Sequence, residues 1–245
     1  MTTAKVALVT GGAKRVGAVI AGELHAAGFT LAVHCNRSLA DADELVARLN
    51  GIRSDSAFAL QGDLLEEGAC ERLAAETLER AGRLDCLVNN ASTFYPTVVG
   101  EITEDDWHSL VGSNLKAPVF LSQALAPALK ASRGFIINMV DIHARNPLRG
   151  YPVYSAAKAG LAALTLSLAG ELAPEVRVNG IAPGMVMWAD PPPPENVKKA
   201  ILSKTPLGRA GEPRDVARLV RFVVCDAPFV TGQIIAVDGG RSIGW

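Results

Sequence analysis

Tyr154-Ser-Ala-Ala-Lys158 places a phenol and an ammonium four residues apart. On a helix, positions i and i+4 share a face, so the two groups can act together. A neighbouring ammonium lowers a phenol's pKa and makes it a better proton relay near neutral pH. Taken alone, the pairing is common and usually marks only the surface of a helix. Asp141 stands thirteen residues before Tyr154, and Asn89-Asn-Ala-Ser92 forms another polar cluster. Thr10-Gly-Gly-Ala-Lys-Arg-Val-Gly17 is a glycine-rich stretch carrying Lys14 and Arg15. Glycines there allow a tight turn and a close backbone approach to a pyrophosphate at a helix N-terminus. The spacing of Gly11 and Gly17 differs from G-x-G-x-x-G, and no Gly-Lys-Ser/Thr follows, which disfavours a P-loop nucleotidase. In a dinucleotide fold, an acidic residue after the second strand bonds the ribose 2′-hydroxyl of NAD, and an arginine there accommodates the 2′-phosphate of NADP. His34-Cys-Asn36-Arg37-Ser38 has no carboxylate and does have Arg37. A guanidinium pairs with the extra phosphate, so NADPH/NADP is favoured over NAD; a solvated surface arginine is the plain alternative.

These residues need elements to hold them. Short apolar runs that suit parallel strands buried on both faces occur at 6–10, 30–34, 57–61, 86–89, 134–140, 176–181 and 234–237. Helical stretches fit between them at 16–27, 41–49, 66–81, 105–131 and 152–172, with a short one at 195–203. Gly28 is a plausible stop for the first helix, and Pro152 suits the first turn of the fifth. The alternation predicts right-handed βαβ units in a single-domain, Rossmann-type α/β fold. About seven strands would form its doubly wound parallel sheet. No linker divides residues 1–245, and Pro191 to Pro194 reads as a stiff loop feature. Ligands bind beyond the carboxyl ends of strands in such sheets, so the glycine-rich turn, the Asn89–Ser92 cluster and Asp141 can converge.

Composition narrows the class further. With 49% hydrophobic and 20% charged residues, disorder is excluded. Lys plus Arg number 24 and Asp plus Glu 25, giving a net charge of −1, so a nucleic-acid partner is disfavoured and any phosphate must be held by a local cluster. The four cysteines make no C-x-x-C pair, and the four histidines lack metal-ligand spacing, so no metal is expected. No uncharged run reaches the roughly 18–20 residues of a membrane span, and no signal peptide is visible, so a soluble cytoplasmic protein is expected.

The chain resembles the short-chain dehydrogenase/reductases along nearly its whole length. The matching pieces are the 10–17 turn, Asp63, Asn89-Asn-Ala-Ser92, Asn114, Tyr154-x-x-x-Lys158, Pro183-Gly184 and Thr231-Gly…Asp238-Gly-Gly240. Two departures are informative. Arg15 replaces the middle glycine of the usual T-G-x-x-x-G-x-G turn, and Asp141 replaces the usual serine thirteen residues before the tyrosine. Both resemble the pteridine reductases, as do His34-x-x-Arg37-Ser38 and Asn90-Ala-Ser-Thr-Phe-Tyr-Pro96.

That resemblance implies catalytic roles for Asp141, Tyr154 and Lys158, with Lys158 also holding the nicotinamide ribose. It implies that Asp63 contacts adenine, that Asn90 lies along the cofactor and that Asn114 supports a water relay to Lys158. The remaining cofactor positions expected are Gly11, Lys14, Arg15, Val16, His34, Asn36, Arg37, Ser38, Leu64, Ala91, Ser92, Pro183 and Gly184. Substrate positions are Arg15, Ser92, Phe94, Asp141, Tyr154 and Met185, with a substrate loop near 185–205. Phe94 would stack on a flat pterin ring, or else simply fill the core. Asp141 would relay a proton to a ring nitrogen, or else cap a turn. A carboxylate there raises the phenol's pKa unless Lys158 offsets it or the carboxyl carries a proton. The implied activity is NADPH-dependent reduction of a dihydropterin or oxidised pterin, and conceivably dihydrofolate, by a homotetramer. Trp245 would wall a neighbouring subunit's site. The rivals are a carbonyl reductase, such as a 3-oxoacyl reductase, and an NADP-binding scaffold or sensor without turnover.

Overall fold

The computed structural model describes residues 4–188 and 191–243. Seven strands, β1 (Val6–Val9), β2 (Thr30–Cys35), β3 (Ala57–Gln61), β4 (Cys86–Asn89), β5 (Phe135–Met139), β6 (Arg177–Pro183) and β7 (Ile234–Val237), form one sheet. Their order is β3-β2-β1-β4-β5-β6-β7, and every neighbouring pair is parallel. This is the doubly wound α/β architecture expected from the sequence. The order reverses between β1 and β4, which opens a crevice at their carboxyl ends.

Helices cover both faces because the central strands are apolar on both sides. On one face α1 (Arg15–Ala26), α2 (Leu39–Ile52) and α8 (Pro213–Cys225) bury Ile20, Leu24, Leu45, Val216 and Val220 against the sheet. On the other, α3 (Ala69–Ala81), α5 (Ala117–Ser132) and the end of α6 (Pro152–Glu171) bury Leu73, Leu121, Leu125 and Ala169. Helix α1 ends as expected at Gly28, whose φ of +96° lets Gly28 N–H reach the His25 carbonyl and Phe29 N–H the Leu24 carbonyl.

Two expected elements differ, and one was not expected. The 66–81 helix begins only at Ala69, because Gly68 takes a left-handed φ of +70°. The 105–131 helix is broken into α4 (Glu104–Val111), a π-helical turn (Gly112–Lys116) and α5. Pro118 has no N–H to continue the i→i−4 ladder, so the extra residue is accommodated just before it. Helix α8 was not anticipated: its buried Val216, Val220, Val223 and Val224 are β-branched and read equally as strand. A nine-residue helix, α7 (Glu195–Ser203), matches its expected bounds. By length and composition α6 could cross a membrane, a possibility the sequence did not suggest. It carries buried Lys158 and packs against the sheet, as a core helix does.

Candidate active site

The glycine-rich turn is stitched to the end of β4. Thr10 Oγ1 accepts from Asn90 N–H at 2.9 Å and Ala91 N–H at 3.0 Å. Asn90 Nδ2 donates to the carbonyls of Thr10 at 2.9 Å and Gly11 at 3.0 Å. A Cβ on Gly17 would lie 2.2 Å from the Gly11 carbonyl and 2.6 Å from Asn90 Nδ2, so only hydrogen permits this approach. Arg15, the first residue of α1, is held at a φ of +52°, a region that favours glycine. A cavity of about 260 Å³ lies against Gly11, Lys14, Arg15, Val16, Ala91 and Ser92. The first N–H groups of α1 have no helical partners and its first turn has no acid, so the site fits the anionic pyrophosphate of a dinucleotide.

Two residues near it depart from expectation. His34 is 2% exposed and its ring is fully used inside the protein. Gly11 N–H donates to Nδ1 at 3.3 Å, and Nε2, 3.1 Å from the Gly62 carbonyl, must therefore carry the proton. Burial lowers its pKa to about 4, which keeps that tautomer neutral. His34 thus ties the turn to the end of β3 instead of offering a group to a cofactor. Lys14 is paired with Asp41 at 2.8 Å, so the expected basic cluster includes a carboxylate that the 34–38 segment does not reveal. Asn36 and Arg37 are exposed, and Ser38 precedes α2 without capping it. Asp63 accepts from Leu65 N–H at 3.0 Å. With His34, Gly62 and buried Leu64, it lines a cavity of about 200 Å³ at the same edge of the crevice.

The chemistry gathers beyond β5. Tyr154 Oη donates to Asp141 Oδ2 at 2.8 Å. Asp141 Oδ1 accepts from His143 N–H at 2.8 Å, capping a short 3₁₀ turn (Ile142–Ala144). One Asp141 oxygen thus caps the turn, and the other is bonded to the phenol. Burial, the Asp141 charge and the hydrogen bond to it push the Tyr154 phenol well above its ordinary value. The lowering expected from Lys158 does not prevail: its Nζ lies 5.8 Å from the ring centre and donates to the Met139 carbonyl at 2.7 Å. Lys158 is 3% exposed; burial lowers its pKa to about 8, against the opposing pull of Asp141. Asn114 sits in the π-helical turn, donating from Nδ2 to the carbonyls of Thr93 and Leu110, both at 2.9 Å. Its Oδ1 accepts from Ser92 Oγ at 2.7 Å. Pro183 ends β6, and Gly184 N–H bonds the Val237 carbonyl at 3.0 Å, where a Cβ would come within 2.7 Å of Asp238.

A second cavity, about 360 Å³, joins Asp141 and Tyr154 to Arg15, Phe94 and Met185. Phe94 is not a core residue: it is 55% exposed. Its ring stacks on Tyr151 with centroids 4.6 Å apart and planes at 11°, and meets Tyr154 edge-on at 4.8 Å. Tyr151 was missed by sequence reasoning, since one aromatic before a proline carries no spacing signal. Arg241, which also lines this cavity, was missed too; its only signal is its place after Asp238-Gly-Gly240. The substrate loop contributes Met185, Met187, Pro193, Val197 and Ile201, and Arg15 Nη2 reaches the Trp188 carbonyl at 3.4 Å. Ala189, Asp190 and Trp245 lie outside the described residues.

A family model described as enoyl-(acyl carrier protein) reductase matches residues 11–242. Pteridine reductase 1 of Leishmania tarentolae is 39% identical over 282 aligned positions, covering 98% of this chain and 97% of that protein. A 3-oxoacyl-[acyl-carrier-protein] reductase of Synechocystis is 36% identical over 245 positions, covering 97% of each. The human dehydrogenase/reductase SDR family member 4 is 33% identical, covering 96% of this chain and 87% of that protein.

Proposed function

This chain is an oxidoreductase of the short-chain dehydrogenase/reductase family, and on that premise we propose that it is an NADPH-dependent pteridine reductase. The supporting observation is the Asp141–Tyr154 pair, 2.8 Å apart, in a cavity walled by the exposed ring of Phe94. Relatives of both reductase types match nearly the whole chain, so overall similarity does not choose between a pterin and a 3-oxoacyl substrate.

Bound in the crevice, NADPH supplies the hydride. The chain's own residues do the rest. Gly11, Arg15, Val16, Asn90, Ala91 and Ser92 would hold its pyrophosphate and adjoining sugars, with Lys14, Asn36, Arg37 and Ser38 toward the 2′-phosphate. Asp63 and Leu64 would face adenine. Lys158, held by the Met139 carbonyl, would hold the nicotinamide ribose, with Asn114, Pro183 and Gly184 at the same end of the cofactor. Phe94 offers a π-face to a flat heterocycle. A phenol held well above its ordinary pKa keeps its proton until a basic atom arrives. A ring nitrogen of a C=N bond becomes basic as its carbon gains hydride, so the proton of Tyr154 Oη passes to that nitrogen. Asp141, half-buried, then returns a proton to Tyr154 from the solvent side. A ketone oxygen would take the proton of Tyr154 in the same way, but a carboxylate beside the phenol weakens it as a donor for polarising a carbonyl beforehand. The same proposal takes the protein as a cytoplasmic homotetramer.

One assay separates the possibilities. Purified protein is mixed with NADPH and dihydrobiopterin, or with NADPH and an acetoacetyl thioester, and nicotinamide absorbance is followed. Pterin-dependent oxidation is expected, falling about 10³-fold in Tyr154→Phe. Turnover of the thioester alone would overturn the proposal in favour of a carbonyl reductase. Tight NADPH binding without turnover would favour a scaffold.

A further inference from the structure

Among the described residues, the cavity beside Tyr154 holds two guanidinium groups, Arg15 and Arg241, and one carboxylate, Asp141. Both Asp141 oxygens are engaged, one by His143 N–H and one by Tyr154 Oη, each at 2.8 Å. Arg15 reaches the Trp188 carbonyl and also faces the glycine-rich turn. Arg241 has no such outlet. Its Nη1 is buried with no hydrogen-bond partner among the described residues, and no carboxylate among them lies within ion-pair distance of it. A charged guanidinium left without a partner in the wall of a cavity suits an anionic ligand there.

Its placement is not loose. Asp238 accepts from Gly240 N–H at 2.9 Å and Ser242 N–H at 2.6 Å, and the Asp238 carbonyl accepts from Arg241 N–H at 3.2 Å. From the other side, Asn146 Nδ2 donates to the Ser242 carbonyl at 3.1 Å, and the Asn146 carbonyl lies 2.9 Å from His143 Nδ1. The turn bearing Arg241 is thus fastened both to the end of β7 and to the loop that follows Asp141. A fixed planar fork with a free donor matches a carboxylate. We infer that Arg241 is a specificity-determining residue that binds a carboxylate carried on the substrate away from its reacting ring. The inference rests on the pteridine reading for the ring itself; the acidic arm is what Arg241 adds.

Dihydrobiopterin, with an uncharged side chain, and dihydrofolate, with a glutamate tail, are the probes. Steady-state kinetics are compared for the parent, Arg241→Gln and Arg241→Lys, with thermal unfolding as a check on folding. In Arg241→Gln the ratio of kcat/KM for dihydrofolate over dihydrobiopterin is expected to fall about 10- to 100-fold, through KM. Arg241→Lys, which keeps the charge and loses the fork, should fall between. A ratio within about twofold of the parent in Arg241→Gln would overturn the inference. Should Arg241→Gln fail to fold, the lysine variant alone decides, with an unchanged ratio overturning it. If the parent reduces neither pterin, the pteridine reading has failed. Equilibrium binding of the two probes to the NADP-loaded proteins then tests Arg241 separately: the same fall in the ratio of affinities supports it, and an unchanged ratio or no binding of dihydrofolate overturns it.

Discussion

The two ends of the crevice are built on opposite principles. At the glycine-rich turn the polar groups satisfy one another: Thr10, Asn90, Gly11 and His34 form a closed set of hydrogen bonds, and even Lys14 has its own counterion. Around Tyr154 groups are left over. Phe94 stands half in solvent, and Arg241 buries a nitrogen with no partner among the described residues. The first end presents backbone N–H groups fixed in advance, which serves one unvarying ligand. The second presents side chains awaiting complements, which is where one oxidoreductase of this family can differ from another.

The largest effect should come from breaking the finished end. Gly17→Ala puts a methyl 2.2 Å from the Gly11 carbonyl, and backbone cannot yield cheaply there. Overpacking of this kind costs about 1–3 kcal/mol of stability. Cofactor affinity, measured by quenching of protein fluorescence, is expected to fall at least ~100-fold, because the turn and the α1 N-terminus must separate. The loss should be the same whichever substrate is present. A substrate-dependent loss would mean the two ends are not separable.

The sequence revealed these ends unequally. Tyr154 and Lys158 were readable because four residues on a helix fix a shared face, and the glycine-rich turn because it joins a strand to an amphipathic helix. The strands were legible as apolar runs, three of them, β3, β4 and β7, with their ends correctly placed. What escaped depends on contacts between distant segments. Tyr151 acquires its place by stacking on Phe94, 57 positions away. His34 looks like a cofactor contact in sequence, and only the register of β2 beside β3 shows its ring spent on Gly62. Arg241 is one arginine among many until the Asp238 turn aims it. The π-helical turn that positions Asn114 hides inside an otherwise continuous helical pattern.

Lys158 lies where the two ends meet, and pH separates its effects. Its folded value of about 8 is below the ordinary 10.5, so the unfolded chain binds more protons between those limits. Stability of the cofactor-free protein should therefore rise as pH goes from about 8 toward 10.5, with the full burial penalty present below 8. Catalysis should run the other way. The charge that holds the ribose is lost above pH 8, so kcat/KM is expected to fall about tenfold per unit there. Urea unfolding midpoints and rate profiles over the same pH range check both signs. Parallel trends would remove Lys158 as the titrating group.

Phe94→Ala addresses the unfinished end with the smallest expected change. Because 55% of Phe94 is exposed, its loss removes little buried surface, and stability should shift by less than about 1 kcal/mol. What it does remove is a face. Phe94 is held parallel to Tyr151 within 11°, and its edge contact with Tyr154 fixes its tilt relative to the proton donor. A flat substrate stacked there would lose about 1–1.5 kcal/mol of ring contact, raising its KM about tenfold while leaving NADPH affinity within twofold. An acyclic acetoacetyl thioester has no ring to lose, so its KM should hardly move. The ratio of the two KM changes measures how far Phe94 belongs to a heterocycle site. If both rise together, Phe94 only shapes the cavity, and the contrast between a generic end and a selective end would rest on Arg241 and Asp141 alone.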